Sequence, residues 1–433
     1  LDPFSFTASN RPWSTQSWLS GVIFYEVYSL FGLSGLILLQ AAIATLTFFI
    51  IYKTIRLGSR TEGWATYLVV LVLIITAFTV RFRLFIRPHI FEFLFLATFF
   101  YVLNLYKYRR KNYLFLLPVI QILWVNIHGS NILGIIVPLL FLSGEGLKYV
   151  LNWRNGKFFS PKQIIHLSVI TVVIIIVSLV NPITYKIFSF PFLLTGQKTY
   201  MQVIGEWQTL KLTHLWGYNL RYTWGFSLLL LLGMISFISQ FKKIDLTEIL
   251  IFIFFFWLTI KGIRLIAEFA IAVSSIITGG LIRFFDKLRI ENLKKGYQQL
   301  TYLVLFLIIV SSTVIGIKAQ TYSFGLGIKQ KKFPDKAVDF LDKNSISGNM
   351  FNSIGFGGYL IWRCFPRRKV FIDGRNDVFE EEFYKEYLNA HISQEVWEKI
   401  TNKYQISYAI LEYAKKEEIK HLVNNPEWSL VYW

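Results

Sequence analysis

Long uncharged stretches decide what this chain can fold into. Leu33 to Tyr52 and Ile164 to Val180 contain no Asp, Glu, Lys or Arg, and helices of such length suit the roughly 30 Å hydrocarbon core of a bilayer. Charged residues make up 16% of the 433 residues, against about 25% in soluble domains. The sequence therefore predicts a multi-span membrane protein and excludes an ordinary soluble one.

Charged residues or Pro, Asn and Gly bound ten apolar segments, which predict an all-α transmembrane bundle of about ten spans in residues 1–320. These segments are Leu33–Tyr52, Trp64–Val80, Ile90–Tyr106, Tyr113–Ile127, Ile132–Leu147, Ile164–Val180, Thr223–Gln240, Leu246–Ile260, Leu265–Leu281 and Tyr302–Ile317. Before them, the aromatic-rich stretch from Trp18 to Phe31 predicts a helix lying in the membrane interface. Residues 321–433 alternate strand-like and helical patterns, which predicts a small soluble α/β domain.

The distribution of charge predicts the orientation in the membrane. The chain has 45 Lys and Arg against 26 Asp and Glu, and the first 320 residues hold 29 of the bases and 11 of the acids. One set of alternate loops carries 18 Lys and Arg and the other set 9, so the richer set is predicted to face the cytoplasm. The segment after Ile317 is then extracytoplasmic, in a plasma (inner) membrane protein. Anionic lipids, rather than nucleic acid, are the expected partners of the basic loops.

Motifs of several enzyme classes are absent from the sequence. It contains no GxxxxGK, GxGxxG, HExxH or GxSxG pattern in a suitable context, so ATPase, dehydrogenase, zinc-protease and α/β-hydrolase functions lack support. The single cysteine, Cys364, cannot form an intrachain disulfide. No cofactor is indicated; a divalent metal held by histidine and carboxylate is open, but no spacing demands one.

Polar and ionisable residues collect at the predicted outer ends of the spans. They are Arg87-Pro88-His89 with Glu92, then Asn126 and His128, Asn181-Pro182, Glu206-Trp207, and Arg264 with Glu268. An ionisable group at membrane depth must face a partner or a wet cavity, and it is therefore a functional candidate. The pattern predicts a polar cavity that opens to the outside.

Each of these groups also has a structural interpretation. Arg87 serves equally well as an interfacial anchor at a helix end, and Glu92 could neutralise His89 three residues earlier on the same helix face. The remaining alternatives are turn chemistry at Asn126 to Gly129, a helix stop at Asn181-Pro182, an ion pair between Arg264 and Glu268, and a strand-to-turn transition at Asp373 to Asp377.

Several short motifs follow one another along the chain. They are Asp2-Pro3-Phe4-Ser5-Phe6-Thr7, Arg11-Pro12-Trp13, Trp18-Leu19, Arg87-Pro88-His89, Trp124-x-Asn126-x-His128-Gly129, Asn181-Pro182, Glu206-Trp207 and Phe371-Ile372-Asp373-Gly374-Arg375. In this order they resemble a group of bacterial polytopic proteins related to the C-type (GT-C) glycosyltransferases. Members of that superfamily transfer sugar from a polyprenyl-phosphate carrier to a lipid, glycan or protein acceptor on the extracytoplasmic side.

The resemblance implies a membrane glycosyltransferase whose partners are a polyprenyl-phosphate-linked sugar and the lipid bilayer, with an unidentified acceptor. It implies the catalytic candidates Glu206, His89 and Asp2. Inverting transfer needs a carboxylate for the acceptor proton and cations for the departing phosphate. The implied substrate-binding residues are Arg87, Asn126, His128, Trp207, Arg264 and Glu92.

The family pattern also predicts that an N-terminal segment is missing here. Its first span and acidic catalytic loop would precede Leu1, so Asp2 would flank the main catalytic acid. Two other functions stay open: a transporter or flippase of an envelope lipid or glycolipid, and a non-catalytic scaffold. Transporters often carry half-repeats with midplane sites, whereas the polar groups here collect on one side, which favours transfer.

Overall fold

The computed structural model describes most of the chain. The described residues are 1–287, 326 and 333–432, except 12, 14, 60, 154–157, 191–198, 200–206, 212, 214–219, 240–243, 376, 413–421 and 423–424. They form two compact units: unit 1 comprises Leu1–Ser14, Phe192–Ile204 and Ile328–Trp433, and unit 2 comprises Thr15–Pro191 and Gly205–Gly327. The first residues of the chain, grouped with the transmembrane part in the sequence analysis, thus fold with the C-terminal part.

The described part of unit 2 is built mainly from α-helices. They are α1 (Trp18–Gly58), α2 (Ala65–Val80), α3 (His89–Arg109), α4 (Leu116–Ile127), α5 (Ile132–Val150), α6 (Pro161–Val177), α7 (Leu220–Ser239), α8 (Leu246–Lys261) and α9 (Ile266–Lys287). Short 3-10 turns at Arg81–Arg83, Gly129–Asn131 and Ile263–Leu265 precede α3, α5 and α9.

Five described helical stretches are long and apolar enough to cross a membrane. They are Trp18–Gly58, Ala65–Arg83, His89–Arg109, Gly129–Val150 and Ile263–Lys287; α4, α6 and part of α7 are shorter apolar helices. The chain is therefore a helical, multi-pass membrane protein. The last predicted span, Tyr302 to Ile317, lies outside the described residues.

The first helix is interrupted where the sequence analysis divides an interfacial helix from a span. A straight helix of 41 residues would be about 60 Å long, twice the hydrocarbon thickness. Gly32 breaks it with φ 60° and ψ −156°, a conformation that glycine adopts without a steric penalty. The helix axis after Gly32 can therefore differ in direction from the axis before it.

Helices α3 and α9 are the most buried of the candidate spans. In their most apolar windows, 78% and 89% of the residues are buried inside the protein. By contrast, α6 exposes Ile165, Val169, Val172 and Ile176 along one face, as expected of a helix that faces lipid. The acidic residues Glu92 of α3 and Glu268 of α9 are therefore held inside the bundle.

Unit 1 contains two short strands and four helices among its described residues. These are α10 (Asp335–Lys343), β1 (Asn349–Asn352), α11 (Ile354–Cys364), α12 (Glu381–Ala390), α13 (Gln394–Tyr404) and β2 (Ile406–Ile410). The strands pair in parallel, with Asn352 opposite Ile410. Their core centres on Phe351, whose ring lies 4.7 Å from Phe371 and 4.9 Å from Trp397 between centroids.

The N-terminal segment is part of this unit because it binds the motif Asp373-Gly374-Arg375. Ser5 forms a parallel bridge with Val370. The guanidinium group of Arg375 donates to both oxygens of Asp2, at 2.6 and 3.1 Å, and to both oxygens of Asp373, at 2.8 and 2.6 Å. The rings of Phe4 and Trp13 lie 5.1 and 4.7 Å from it. Two carboxylates and two rings thus fix one cation.

This anchor makes the stability of unit 1 dependent on pH. Burial alone would raise the pKa of Asp2, but hydrogen bonds from Arg375, Ser5 and the Phe4 amide outweigh it and lower the pKa. Ionised Asp2 therefore stabilises unit 1 at neutral pH, and this contribution disappears as the pH falls below about 4.

We expect Asp2→Asn to lower the stability of unit 1 by about 1.5–3 kcal/mol at neutral pH, since charge-assisted hydrogen bonds are lost. Hydrogen exchange of residues 1–11 and 366–375 in the whole chain should show it. Protection should fall between pH 6 and pH 3 in the wild type and less in the variant. An equal fall in both would contradict the assigned anchor.

Candidate functional site

Five polar side chains lie together where α3 and α9 begin and α4 ends. We call Arg83, His89, Glu92, His128 and Glu268 the His128 cluster. Glu92 and Glu268 are each 1% exposed and His89 is 3% exposed. Because Glu92 and Glu268 are buried, their carboxyl groups interact with neighbouring charges with little screening by water.

The contact between Glu92 and His128 is the central feature of the cluster. Oε2 of Glu92 lies 3.0 Å from Nδ1 of His128. Neither oxygen of Glu92 makes a hydrogen bond of regular geometry within the described residues, so the contact is mainly electrostatic. The sequence analysis pairs Glu92 with His89 on the same helix; the structure pairs it with the histidine that follows α4.

Glu268 adds a second carboxyl group behind Glu92. It lies in the first turn of α9, adjacent to Glu92 and near Arg83. Two neighbouring buried carboxylates repel each other unless cations or protons compensate them. Arg83 is a cationic group that can supply this compensation.

The orientation of the His128 ring follows from its contacts. Nδ1 lies 2.7 Å from the hydroxyl group of Ser130 and faces Glu92. Nε2 lies on the opposite edge of the ring, and the side chain is 27% exposed. A partly exposed histidine whose Nδ1 lies against a buried carboxylate is suited to exchanging a proton with a bound molecule.

His89 is placed differently from His128. Its Nε2 atom lies 2.5 Å from the carbonyl oxygen of Arg83, and its ring packs between Phe85 and Phe93 at centroid distances of 4.8 and 5.6 Å. These contacts hold the 3-10 turn before α3 in place. They favour a positioning role for His89 over the predicted catalytic role.

Asn126 connects three segments beside the cluster. Its side-chain oxygen accepts from Trp18 at 2.7 Å and from Asn181 at 3.2 Å, and its Nδ2 donates to the carbonyl oxygens of Ile122 and Val180. Asn181 donates further to Val125 and Gln16. Since these bonds occupy the amide of Asn126, they favour a positioning role over substrate contact.

Arg87 and Arg264 are two predicted phosphate-binding cations close in sequence to cluster residues. Arg87 is exposed two residues before His89, and its guanidinium group lies 4.8 Å from the Phe85 ring. Arg264 lies 3.5 Å from the centroid of the Trp207 ring, a cation–π contact that fixes both side chains.

The segment that carries Trp207 is attached to the connection between α8 and α9. The Ile263 amide donates to the carbonyl of Gln208 at 2.9 Å, and the Leu210 amide donates to Ile260 at 3.0 Å. The segment of Trp207 is thus joined to this connection by backbone hydrogen bonds as well as by the contact of its ring with Arg264. Glu206 lies outside the described residues.

A second buried group of charges lies near the other end of α3. We call Lys107, Glu145, Lys148 and Asp245 the Lys107 cluster. Each lysine bridges the two acids: Lys107 at 2.9 Å from Glu145 and 2.8 Å from Asp245, and Lys148 at 2.8 and 2.6 Å. All four residues are buried. The cluster joins α3 and α5 to the residue that caps α8.

The sequence analysis missed the Lys107 cluster. It treated Lys107 and Lys148 as loop cations and included Glu145 in an apolar span. One part of the cluster can be inferred from the sequence, because Glu145 lies three residues before Lys148 at the end of an apolar helix, where the two can pair. Gly144 permits the close helix contact, because a Cβ atom there would come within 2.5 Å of the Thr247 backbone.

The carboxylate of Asp2, a predicted catalytic candidate, is engaged in hydrogen bonds. Asp2 belongs to unit 1, where both carboxylate oxygens accept hydrogen bonds from Arg375 and neighbouring residues; this favours anchoring over catalysis.

Within the described part of the chain, no three His, Cys, Asp or Glu side chains are arranged to hold a metal ion.

Comparison with known proteins identifies a similar fold. No protein-family model matches the chain, and no curated protein sequence matches it. The crystal structure of the oligosaccharyltransferase of Archaeoglobus fulgidus, in its apo form, is similar with a TM-score of 0.57 and 14% identity, over 94% of this chain and 62% of that chain. This chain thus spans less than two thirds of that protein's length. At such low identity the similarity concerns the fold alone, and the chain shares the fold of that structure.

Proposed function

We propose that this chain is a GT-C-type glycosyltransferase that moves a sugar from a polyprenyl-phosphate carrier to an envelope acceptor. In this proposal about ten spans lie in the plasma membrane, and unit 1 is a small extracytoplasmic α/β domain. The observation that carries it is the contact between the buried Glu92 and the accessible His128. The fold of the archaeal oligosaccharyltransferase supports the enzyme class.

The proposed chemistry assigns the proton to His128. The acceptor oxygen attacks the anomeric carbon, the bond from that carbon to the carrier phosphate breaks, and the phosphate keeps the electron pair. Nε2 of His128 takes the acceptor proton, while the buried carboxylate of Glu92 balances the charge on the imidazolium ring.

The phosphate needs cations, because its negative charge grows as the bond breaks. Arg87 is exposed beside the cluster, and Arg264 is held by Trp207; both are proposed phosphate ligands. Trp207 and the neighbouring Glu206 are proposed to contact the sugar or the acceptor. The polyprenyl tail would lie against apolar helix faces in the bilayer.

Arg87→Ala tests the phosphate role. We expect it to lower kcat/KM about 10- to 100-fold, since one oriented cation no longer stabilises the leaving phosphate. The assay measures release of undecaprenyl phosphate from an undecaprenyl-phosphate-linked sugar by the protein in vesicles. Arg109→Ala, at the opposite end of the same helix, is the matched control and should leave kcat/KM unchanged.

The same vesicles distinguish transfer from transport. Movement of the labelled lipid across the bilayer without release of undecaprenyl phosphate would overturn the proposed enzyme and establish a flippase. Absence of both activities with a panel of sugar donors and acceptors would instead support a scaffold. Release of the carrier phosphate that requires Arg87 supports the transferase.

A further inference from the structure

Unit 1 contains an open cavity that the proposed reaction does not use. Its volume is about 490 Å³, and it lies between the last turn of α13, the start of β2 and residues 427–428. The size falls within the roughly 300–1,000 Å³ of ligand sites. Gln405 ends α13 in a left-handed conformation with φ 51°, and this turn brings Asn402 and Ser407 to the same cavity.

One residue that lines the cavity carries an aromatic ring that packs against the core of unit 1. Trp428 is partly exposed and lines the cavity. Its ring contacts Trp397, which is 1% exposed, edge to face at 5.0 Å between centroids. The backbone amide of Trp428 donates to Asn425 at 3.1 Å. Trp428 therefore presents a fixed apolar surface to a bound molecule.

The other side chains that line the cavity are mostly neutral and polar. They comprise the hydroxyl groups of Thr401 and Ser407, the amides of Asn402 and Gln405, one carboxylate, Glu427, and one apolar side chain, Ile406. No Lys or Arg is among the described lining residues, and the nearby Lys399 and Lys403 pair with Glu386. A phosphorylated or acidic ligand would find no cation there, and an apolar ligand would leave these amides unsatisfied.

We propose that this cavity binds an uncharged oligosaccharide. A sugar ring has hydroxyl groups that match amide and hydroxyl side chains in number and kind, and an apolar C–H face that fits against an aromatic ring. The open shape admits a chain of sugar units rather than enclosing one small molecule. Such a site would retain a glycan acceptor or product, yet its binding does not depend on catalysis by the His128 cluster.

Binding of defined saccharides to the full-length chain in nanodiscs tests this proposal. Maltotetraose and chitotetraose are the probes, and saturation-transfer NMR with titration gives the dissociation constant without any donor lipid. We expect at least one probe to bind, and Trp428→Ala to weaken that binding at least tenfold. Trp362→Ala removes another tryptophan of unit 1, which is 55% exposed, and should leave the binding unchanged.

A second variant separates loss of the site from loss of folding. Asn402→Ala removes one exposed amide at the helix end and is expected to weaken binding about fivefold with unchanged thermal unfolding. Failure of both probes to bind, equal loss in Trp362→Ala, or binding that Trp428→Ala and Asn402→Ala leave intact would overturn the proposal. Preferential binding of an extended peptide at this cavity would overturn it as well.

Discussion

Replacing His128 by alanine is expected to reduce sugar transfer about 100- to 10,000-fold, the usual contribution of a general base. The physical reason is the arrangement of the ring, with Nδ1 3.0 Å from the buried Glu92 and the side chain 27% exposed. The measurement is the rate of undecaprenyl phosphate release at saturating donor. His166→Ala, which removes a partly buried histidine beside Tyr106, is the matched control and should retain activity.

A structural role for His128 is separable from a chemical one. Glu92→Gln keeps the shape of the side chain but removes the charge opposite the ring, so we expect a smaller loss in kcat than His128→Ala causes, together with a changed dependence of kcat on pH. Both variants should retain the elution profile of the wild type in detergent. Full activity of His128→Ala would exclude the proposed proton transfer.

Lys107→Met is expected to lower the free energy of unfolding of unit 2 by about 3–5 kcal/mol, the usual cost of removing one partner from a buried ion pair. Lys107 bridges Glu145 and Asp245 at 2.9 and 2.8 Å, and all three are buried. Removing its charge leaves two acids opposite only Lys148. Unfolding in mixed micelles with increasing dodecyl sulfate measures the effect.

The matched control for this substitution is Lys111→Met, two residues beyond α3, where the lysine is exposed. This substitution should change the free energy of unfolding by no more than about 0.5 kcal/mol. The double variant Lys107→Met with Glu145→Gln leaves one cation and one anion in the cluster. Its loss of unfolding free energy should therefore be smaller than the sum of the losses in the two single variants. Additive losses would show that the four charges do not act as one cluster.

Features of this fold that depend on residues close together in the sequence could be predicted, whereas contacts between distant residues could not. An apolar segment bounded by charged or helix-breaking residues determines a helix through neighbouring residues alone. The helices α2, α3 and α5 accordingly occupy most of the segments predicted for them. Glu92 illustrates the limit. Its neighbour on the helix, His89, was the predicted partner, but the fold brings His128 from the end of α4 to its carboxylate.

The same limit explains the two ionic groups that sequence analysis did not find. Asp2 and Arg375 are separated by 373 positions, and no local pattern joins them. Lys107 and Asp245 are separated by 138 positions, and the lysine resembles a loop cation that marks orientation. Charges that pair across long separations can be recognised only when the helices or strands that carry them are placed.

The attachment of the first fourteen residues to unit 1 has a consequence for biosynthesis. A ribosome makes these residues before α1 and makes Arg375, their anchor, after every helix of unit 2. Asp2 must therefore remain without its partner while the intervening residues, up to 373 positions later, are synthesised. Unit 1 can complete its folding only after Arg375 has been made.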